Sequence, residues 1–299
     1  MAQHLPEAQV EAIGSLRLQY LEYPGEALTV ILLHATGFFP WLWHPIAREL
    51  AGSHRIIAPY FCGYRPVDLD RGGLAWPLLA EDLAILCERL AIDAPILVGH
   101  SMGATVAAYA EAIHGLGAAG MVLIEPIVFP SEAYRSPPRL EDNPLASRAL
   151  RRRNRWQDAA EVKAYLRTKA LFADWTAEML DLYVAYGTVA HPESGLQLTC
   201  PPSREAAIFM GATARDPWPL LSGITCPVLV VEGTRSDIRQ SIDFSAVAAR
   251  FPHGRHQSVN GAGHLIPMEK PGRILEILRN FIHRPEGAVP FGGSPGASL

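Results

Sequence analysis

Cysteine is scarce in this 299-residue chain: Cys62, Cys87, Cys200 and Cys226 lie far apart, with no C-x-x-C pair and no histidine at metal-ligand spacing. That excludes a disulfide-stapled scaffold, leaves the thiols reduced, and gives no reason to expect a metal site. Long hydrophobic runs are missing as well. No stretch is long enough to span a bilayer, and the first fifteen residues hold Pro6, Glu7 and Glu11 without the apolar centre of a signal peptide. Charge is also sparse, at 19% of residues with a formal net charge of -4, so no positive field draws nucleic acid or an anionic membrane. The expectation is a cytoplasmic protein with neither of those partners, its oligomeric state left open.

What is abundant is apolar surface, at 49% of residues, enough for one sizeable core with room for an insertion. Leu16 to Tyr23 alternates loosely before Pro24-Gly25, as in an edge hairpin. Leu28 to Leu33, Arg55 to Ala58, Ile96 to Val98, Gly120 to Glu125, Pro227 to Glu232 and His256 to Val259 read as buried strands. Trp41 to Leu50, Leu78 to Leu90 and Arg273 to Ile282 have helical spacing, and Asp243 suits the N-cap of a helix from Phe244 to Arg250. Strands alternating with helices predict an α/β protein with a mostly parallel, doubly wound sheet.

From about Phe129 to Leu221 the alternation stops. Helix starts remain at Asn143 before Pro144, at Asp158 with Glu161 three residues on, and at Ser203 with Glu205, while Gly187 suits a helix end. An all-helical cap over residues 129–221 is therefore expected, inserted between core segments 1–128 and 222–284. Pro, Gly, Ser and Ala dominate from Pro285, which predicts a flexible tail over 285–299.

Chemistry concentrates at Gly99-His100-Ser101-Met102-Gly103, a G-x-S-x-G between an apolar run and an Ala-rich helical pattern. A strand that turns at once into a helix strains the residue at the turn and tolerates no Cβ two positions either side. Ser101 is thereby lifted out at a helix N-terminus, whose free N–H groups favour an anion. A serine hydroxyl needs a base, and the base needs a carboxylate. His264, in Asn260-Gly-Ala-Gly-His-Leu-Ile-Pro267, has the small-residue loop that lets an imidazole hang over a sheet edge. Asp237, after the Pro227 to Glu232 run, is the first candidate acid; Glu125, at the end of the strand following Ser101, is its rival. The N–H of Met102 and that of Thr36, in His34-Ala-Thr-Gly, are the candidate oxyanion donors. His34 reads as a brace for its loop and His100 as a packing residue.

These segments resemble the α/β-hydrolase fold family, specifically its helical-capped serine hydrolases, over about residues 16 to 284. The resemblance rests on residues 34–38, 99–103, 232–237 and 260–267, and on the order Ser101, Asp237, His264. It implies attack by Ser101 on a carbonyl with His264 as base, Asp237 orienting it, and hydrolysis of an acyl-enzyme without a cofactor. The serine argues against the family's haloalkane dehalogenases and epoxide hydrolases. Two positions depart from the usual pattern, Ala35 for the glycine after His34 and Ala104 for a second glycine after the elbow.

A carboxylic ester, lactone or thioester of small to medium size is the expected substrate, with Phe38, Trp41 and Trp43 as candidate pocket residues and first-helix packing as their alternative role. An acyltransferase, a C–C bond hydrolase, a hydroxynitrile lyase or a non-catalytic ligand receptor are the competing readings. Arg148, Arg151, Arg152, Arg153, Arg155, Lys163, Arg167 and Lys169 stand against Asp158 and Glu161 between positions 148 and 169, a basic excess that reads as a solvated helix face or as an attraction for an anionic substrate or partner.

Overall fold

Each apolar run of the sequence becomes a strand of one eight-stranded sheet in a computed structural model, which describes residues 5–136 and 139–283. The strands are β1 Gln9–Ile13, β2 Leu16–Tyr23, β3 Gly25–Leu33, β4 Gly52–Tyr60, β5 Ile96–His100 and β6 Gly120–Ile124. A separate two-stranded ladder, β7 Thr188–Ala190 and β8 Leu196–Leu198, precedes β9 Val228–Gly233 and β10 Gly254–Val259. The main sheet runs in the order β1-β2-β4-β3-β5-β6-β9-β10, with β1 and β2 antiparallel to their neighbours and the rest parallel. The expected edge hairpin is real but displaced: β2 pairs with β1, which the sequence pattern did not reveal, and not across Pro24-Gly25 with β3. β4 takes the place between them, and Gly25 is needed because a Cβ there would overlap the His54 backbone.

Parallel strands are buried on both faces, which is why their sequences are continuous rather than alternating. Val30, Leu32, Ile96 and Val98 face helices His44–Leu50 and Pro271–His283, while Ile31, Leu33 and Leu97 face helices Trp76–Arg89, Met102–His114 and Phe244–Ala249. These strand residues are almost fully buried, each contributing roughly 1.5–3 kcal/mol of transfer free energy. All the loops at the carboxyl ends of the parallel strands open on one edge, where ligands bind in such sheets.

Between β6 and β9 the chain forms helices Pro144–Leu150, Ala159–Arg167, Ala177–Tyr186 and Pro202–Met210. Asn143 and Asp158 cap two of them as expected, accepting from the N–H of Ala146 (3.0 Å) and Glu161 (2.8 Å). Ser203 is no cap, since its helix begins at Pro202. The segment is not all-helical either: β7 and β8 pair antiparallel, and strands of three residues are too short to register as alternation. The segment is docked on the sheet's helices by the Trp76 indole N–H on the Ile208 carbonyl (2.8 Å) and the Leu74 N–H on that of Ala207 (2.8 Å). Gly211 lies so close to the Leu74 carbonyl that a Cβ would overlap it. The expected tail at 285–299 lies outside the described residues.

Two neutral histidines pin the carboxyl edge. His34 accepts the Phe61 N–H on Nε2 (3.0 Å) and donates from Nδ1 to the Ala35 carbonyl (2.8 Å), so it joins the ends of β3 and β4. His100 donates from Nε2 to the His264 carbonyl (2.9 Å), so it does more than pack: it ties the end of β5 to the loop after β10. Burial pushes His34 down to about 4 and His100 down to about 3.

Two stability outcomes follow from this architecture. Both imidazoles titrate below an unfolded histidine at 6.5, so between that pH and the folded values the unfolded chain binds more protons, and stability falls as the pH drops. Urea unfolding at pH 6.5 and pH 5 is expected to show a loss of about 1.5 kcal/mol per histidine, with a shallower pH slope in His34→Gln; a stability constant over this range contradicts the assignment. Gly211→Ala is expected to cost about 1–3 kcal/mol by the same measurement, because it pushes the inserted segment off Leu74.

Candidate active site

β5 ends at His100 and the next helix begins at Met102, which leaves Ser101 at φ 54°, ψ -115°. A non-glycine residue there carries on the order of 1–3 kcal/mol of strain. The surroundings hold it in place. The Ser101 N–H bonds the Ile124 carbonyl (2.9 Å), Gly99 packs on the backbone of Ala104, and Gly103 on the carbonyls of Leu33 and His34, all without room for a Cβ. The Ala104 methyl, fully buried, is accommodated.

The Ser101 hydroxyl donates to His264 Nε2 at 3.1 Å. His264 Nδ1 lies 3.1 Å from Oε2 of Glu125, and an ionised carboxylate only accepts, so Nδ1 carries the proton. Glu125 is completely buried. Its other bonds come from the Gly233 N–H to Oε1 (2.6 Å) and the Ser236 hydroxyl to Oε2 (2.7 Å). It too lies at a left-handed turn, φ 51°, with its N–H on the Val231 carbonyl at 2.8 Å.

The carboxylate on His264 is thus that of Glu125, and the expectation for Asp237 is corrected. Ser236 points inward, buried, to serve Glu125. Asp237, the next residue, opens the short helical turn Asp237–Gln240, points outward and is exposed, with no hydrogen bond or ion pair among the described residues. It lines a surface cleft of about 390 Å³ together with Asp174, Arg235, His264 and Glu269.

The N–H groups of Thr36 and Met102 both lack hydrogen-bond partners among the described residues. Thr36 is buried in the turn that closes with the Phe38 N–H on the Ala35 carbonyl (3.1 Å). Gly37 follows at φ 75°, where a Cβ would come within 2.7 Å of Glu205 Oε1. Glu205, from the inserted segment, is buried and paired with Arg152, whose other nitrogen donates to the Tyr183 hydroxyl at 2.8 Å. Burial pushes the Glu205 carboxyl up while the Arg152 guanidinium pulls it down, and burial prevails.

Arg152 is therefore not part of a solvated helix face. Arg153, Arg155 and Lys163 of the same basic run pair with Glu161, Glu193 and Asp181. Phe38 packs against Trp175 and Tyr183, with ring centroids 5.6 and 6.1 Å away, and Trp41 stacks on Tyr186 at 5.0 Å. Trp43 is corrected: it joins Ile46, Ile56 and Leu278 in the core on the other face of the sheet. Sequence reasoning missed Ser236, Glu205 and Tyr183, whose residue types are ordinary in loops and helices.

Among the described residues no helix is long and apolar enough to cross a membrane, and no three His, Cys, Asp or Glu side chains cluster as a metal would need. The chain is 23% identical over 274 residues to a pimeloyl-[acyl-carrier protein] methyl ester esterase of Xanthomonas campestris, an alignment covering 88% of this chain and 98% of that protein. It is also 23% identical over 289 residues to N-formylmaleamate deformylase of Pseudomonas putida, covering 95% and 99%. Among solved structures, E-2-(acetamidomethylene)succinate hydrolase superposes with a TM-score of 0.79 at 23% identity, over 94% of this chain and all of that one. A family model described as the alpha/beta hydrolase family matches residues 30–277, and with most of its length matched the chain belongs to that family and is an enzyme of that fold.

Proposed function

We propose that the protein is a serine hydrolase that cleaves a carboxylic ester, or a lactone or thioester, of a small to medium substrate. The observation that carries this reading is the unbroken hydrogen-bond chain from Ser101 through His264 to Glu125. In the reaction Ser101 Oγ attacks the substrate carbonyl and its proton passes to His264 Nε2. Glu125 holds the ring in the Nδ1–H form and stabilises the imidazolium that results. The oxyanion is met by the N–H groups of Thr36 and Met102, each such donor contributing on the order of 2.7–4 kcal/mol in enzymes of this type. His264 then returns the proton to the leaving group, activates water for the second step, and the acyl-enzyme is hydrolysed.

The relatives support acyl chemistry in general: their names carry a methyl ester esterase and a deformylase. The 129–221 insertion acts as the cap. Trp175 and Tyr183 cover Phe38 two residues beyond Thr36, so the acyl group enters an aromatic enclosure.

Turnover of p-nitrophenyl acetate and butyrate tests the reading. Wild-type enzyme is expected to show an initial burst, and Ser101→Ala to lose both the burst and labelling by a fluorophosphonate probe. Glu125→Gln is expected to lower kcat by about ten-thousandfold, since an amide no longer holds His264 in the Nδ1–H tautomer. Asp237→Asn, a surface change, is expected to stay within about threefold. The opposite ranking of these two variants overturns the assignment of the acid.

A further inference from the structure

The loop that presents His264 is made of residues that resist ordering: Gly261-Ala262-Gly263, with Gly261 at φ 65°. A base held on such a loop would wander unless its backbone were tied. The ties are present at every step. The Gly261 N–H donates to the Thr234 hydroxyl oxygen (2.9 Å), and the Ala262 carbonyl accepts the Arg235 N–H (2.8 Å). The His264 carbonyl accepts from His100. The two peptide N–H groups that bracket His264 converge on one side chain: Gly263 donates to Oε2 of Glu269 at 2.6 Å, and Leu265 to Oε1 at 3.2 Å.

We propose that Glu269 is a positioning residue for the base: its carboxylate, spanning the N–H groups on either side of His264, sets the ring at its distance from Ser101. The proposal rests on the reading of His264 as general base. Only a carboxylate offers two acceptor oxygens in one plane with a full charge, and charged acceptors make the stronger bonds to backbone N–H. An amide in its place supplies one acceptor and turns an N–H group toward another. Gly263 belongs to the same device, because a Cβ there would stand 2.9 Å from Oε1 of Glu269. The clasp is short-range in sequence: Glu269 ends the single turn Ile266–Glu269, and its own N–H returns to the Leu265 carbonyl at 3.0 Å. The same turn meets the insertion, where the Thr176 N–H bonds the Met268 carbonyl at 3.3 Å.

The test compares wild type with Glu269→Gln and Glu269→Ala on p-nitrophenyl butyrate, alongside the second-order rate of fluorophosphonate labelling. Displacing a reacting group by about 1 Å costs up to about a hundredfold. Glu269→Ala is accordingly expected to lose about that factor in kcat and in labelling rate, with KM within about twofold, and Glu269→Gln to recover about tenfold of it. Proton NMR supplies a readout independent of turnover: the downfield Nδ1–H signal of His264 on Glu125, present in wild type, is expected to broaden or vanish in Glu269→Ala while the thermal unfolding midpoint still reports a folded protein. Wild-type kcat, labelling rate and NMR signal in Glu269→Ala would overturn the proposal and leave the hydrolase reading standing. A wild type that neither turns over ester nor labels defeats the hydrolase reading instead, and the NMR comparison then decides the role of Glu269 alone.

Discussion

A carboxylate with no access to water must be met by donors on every side, and Glu125 is such a group. Removing one partner of a buried charge typically costs on the order of 3–5 kcal/mol, so the segments that supply its donors are not free to drift. Those segments are the turn after β9, through Gly233 and Ser236, and the loop after β10, through His264. Ser101 is held against the same place, because its N–H takes the carbonyl of Ile124, the residue before Glu125. The turn after β9 and the loop after β10 are thereby locked to one side chain at the end of β6, and the elbow after β5 to the backbone beside it. The strain stored at Ser101 and Glu125, both in left-handed conformations, is affordable because the ladder β3-β5-β6-β9 over-determines the backbone on either side.

The inserted segment completes the enclosure by a different kind of contact. Its salt bridges to the core, Arg48 with Glu178 and Arg235 with Asp174, are exposed, and exposed pairs are worth at most about 1 kcal/mol each. What fixes it are buried contacts: the Trp76 indole on the Ile208 carbonyl, the close approach of Gly211, and the aromatic cluster of Phe38, Phe172, Trp175 and Tyr183. Arg152 is held in the same region, its charge answered by Glu205 against the Gly37 turn. Position and polarity at the Thr36-Gly37 turn therefore depend on residues about 120 to 170 positions further along the chain.

The elbow was legible in the sequence because sterics leave so little choice: a turn that tight excludes Cβ at positions 99 and 103, and glycine is what remains. His264 was legible from its small-residue loop. The acid was legible only as a choice between Asp237 and Glu125, with Asp237 ranked first, and the reason the ranking failed is angular. Both Glu125 and Asp237 follow strands at the same edge, and side-chain direction there turns on one residue of loop geometry: Ser236 faces in, so Asp237 faces out. Nothing in residue type announces that Glu125 adopts φ 51° and swings its carboxylate toward the imidazole. Trp43 takes its alternative role, packing the first helix beside Ile46 and Ala47 rather than lining a pocket, a choice that residue type alone does not make. Helix starts at Asn143 and Asp158 could be read because a capping side chain acts within three residues, whereas β7 and β8 exist only through each other.

Placing the acid at the end of β6 rather than on the turn after β9 also changes its electrostatic leverage. Two unit charges about 4 Å apart interact by about 1 kcal/mol in water and about 4 kcal/mol at the effective dielectric of a protein site. Asp237, exposed in the cleft beside His264, belongs to the first regime and shares it with the cation Arg235. Glu125 belongs to the second, with its hydrogen bonds already made and no solvent around it. A buried carboxylate here commits a strained residue and three donors, and His264 is thereby held against a group whose orientation is already set. That geometry favours Glu125 over the exposed Asp237 as the partner of His264.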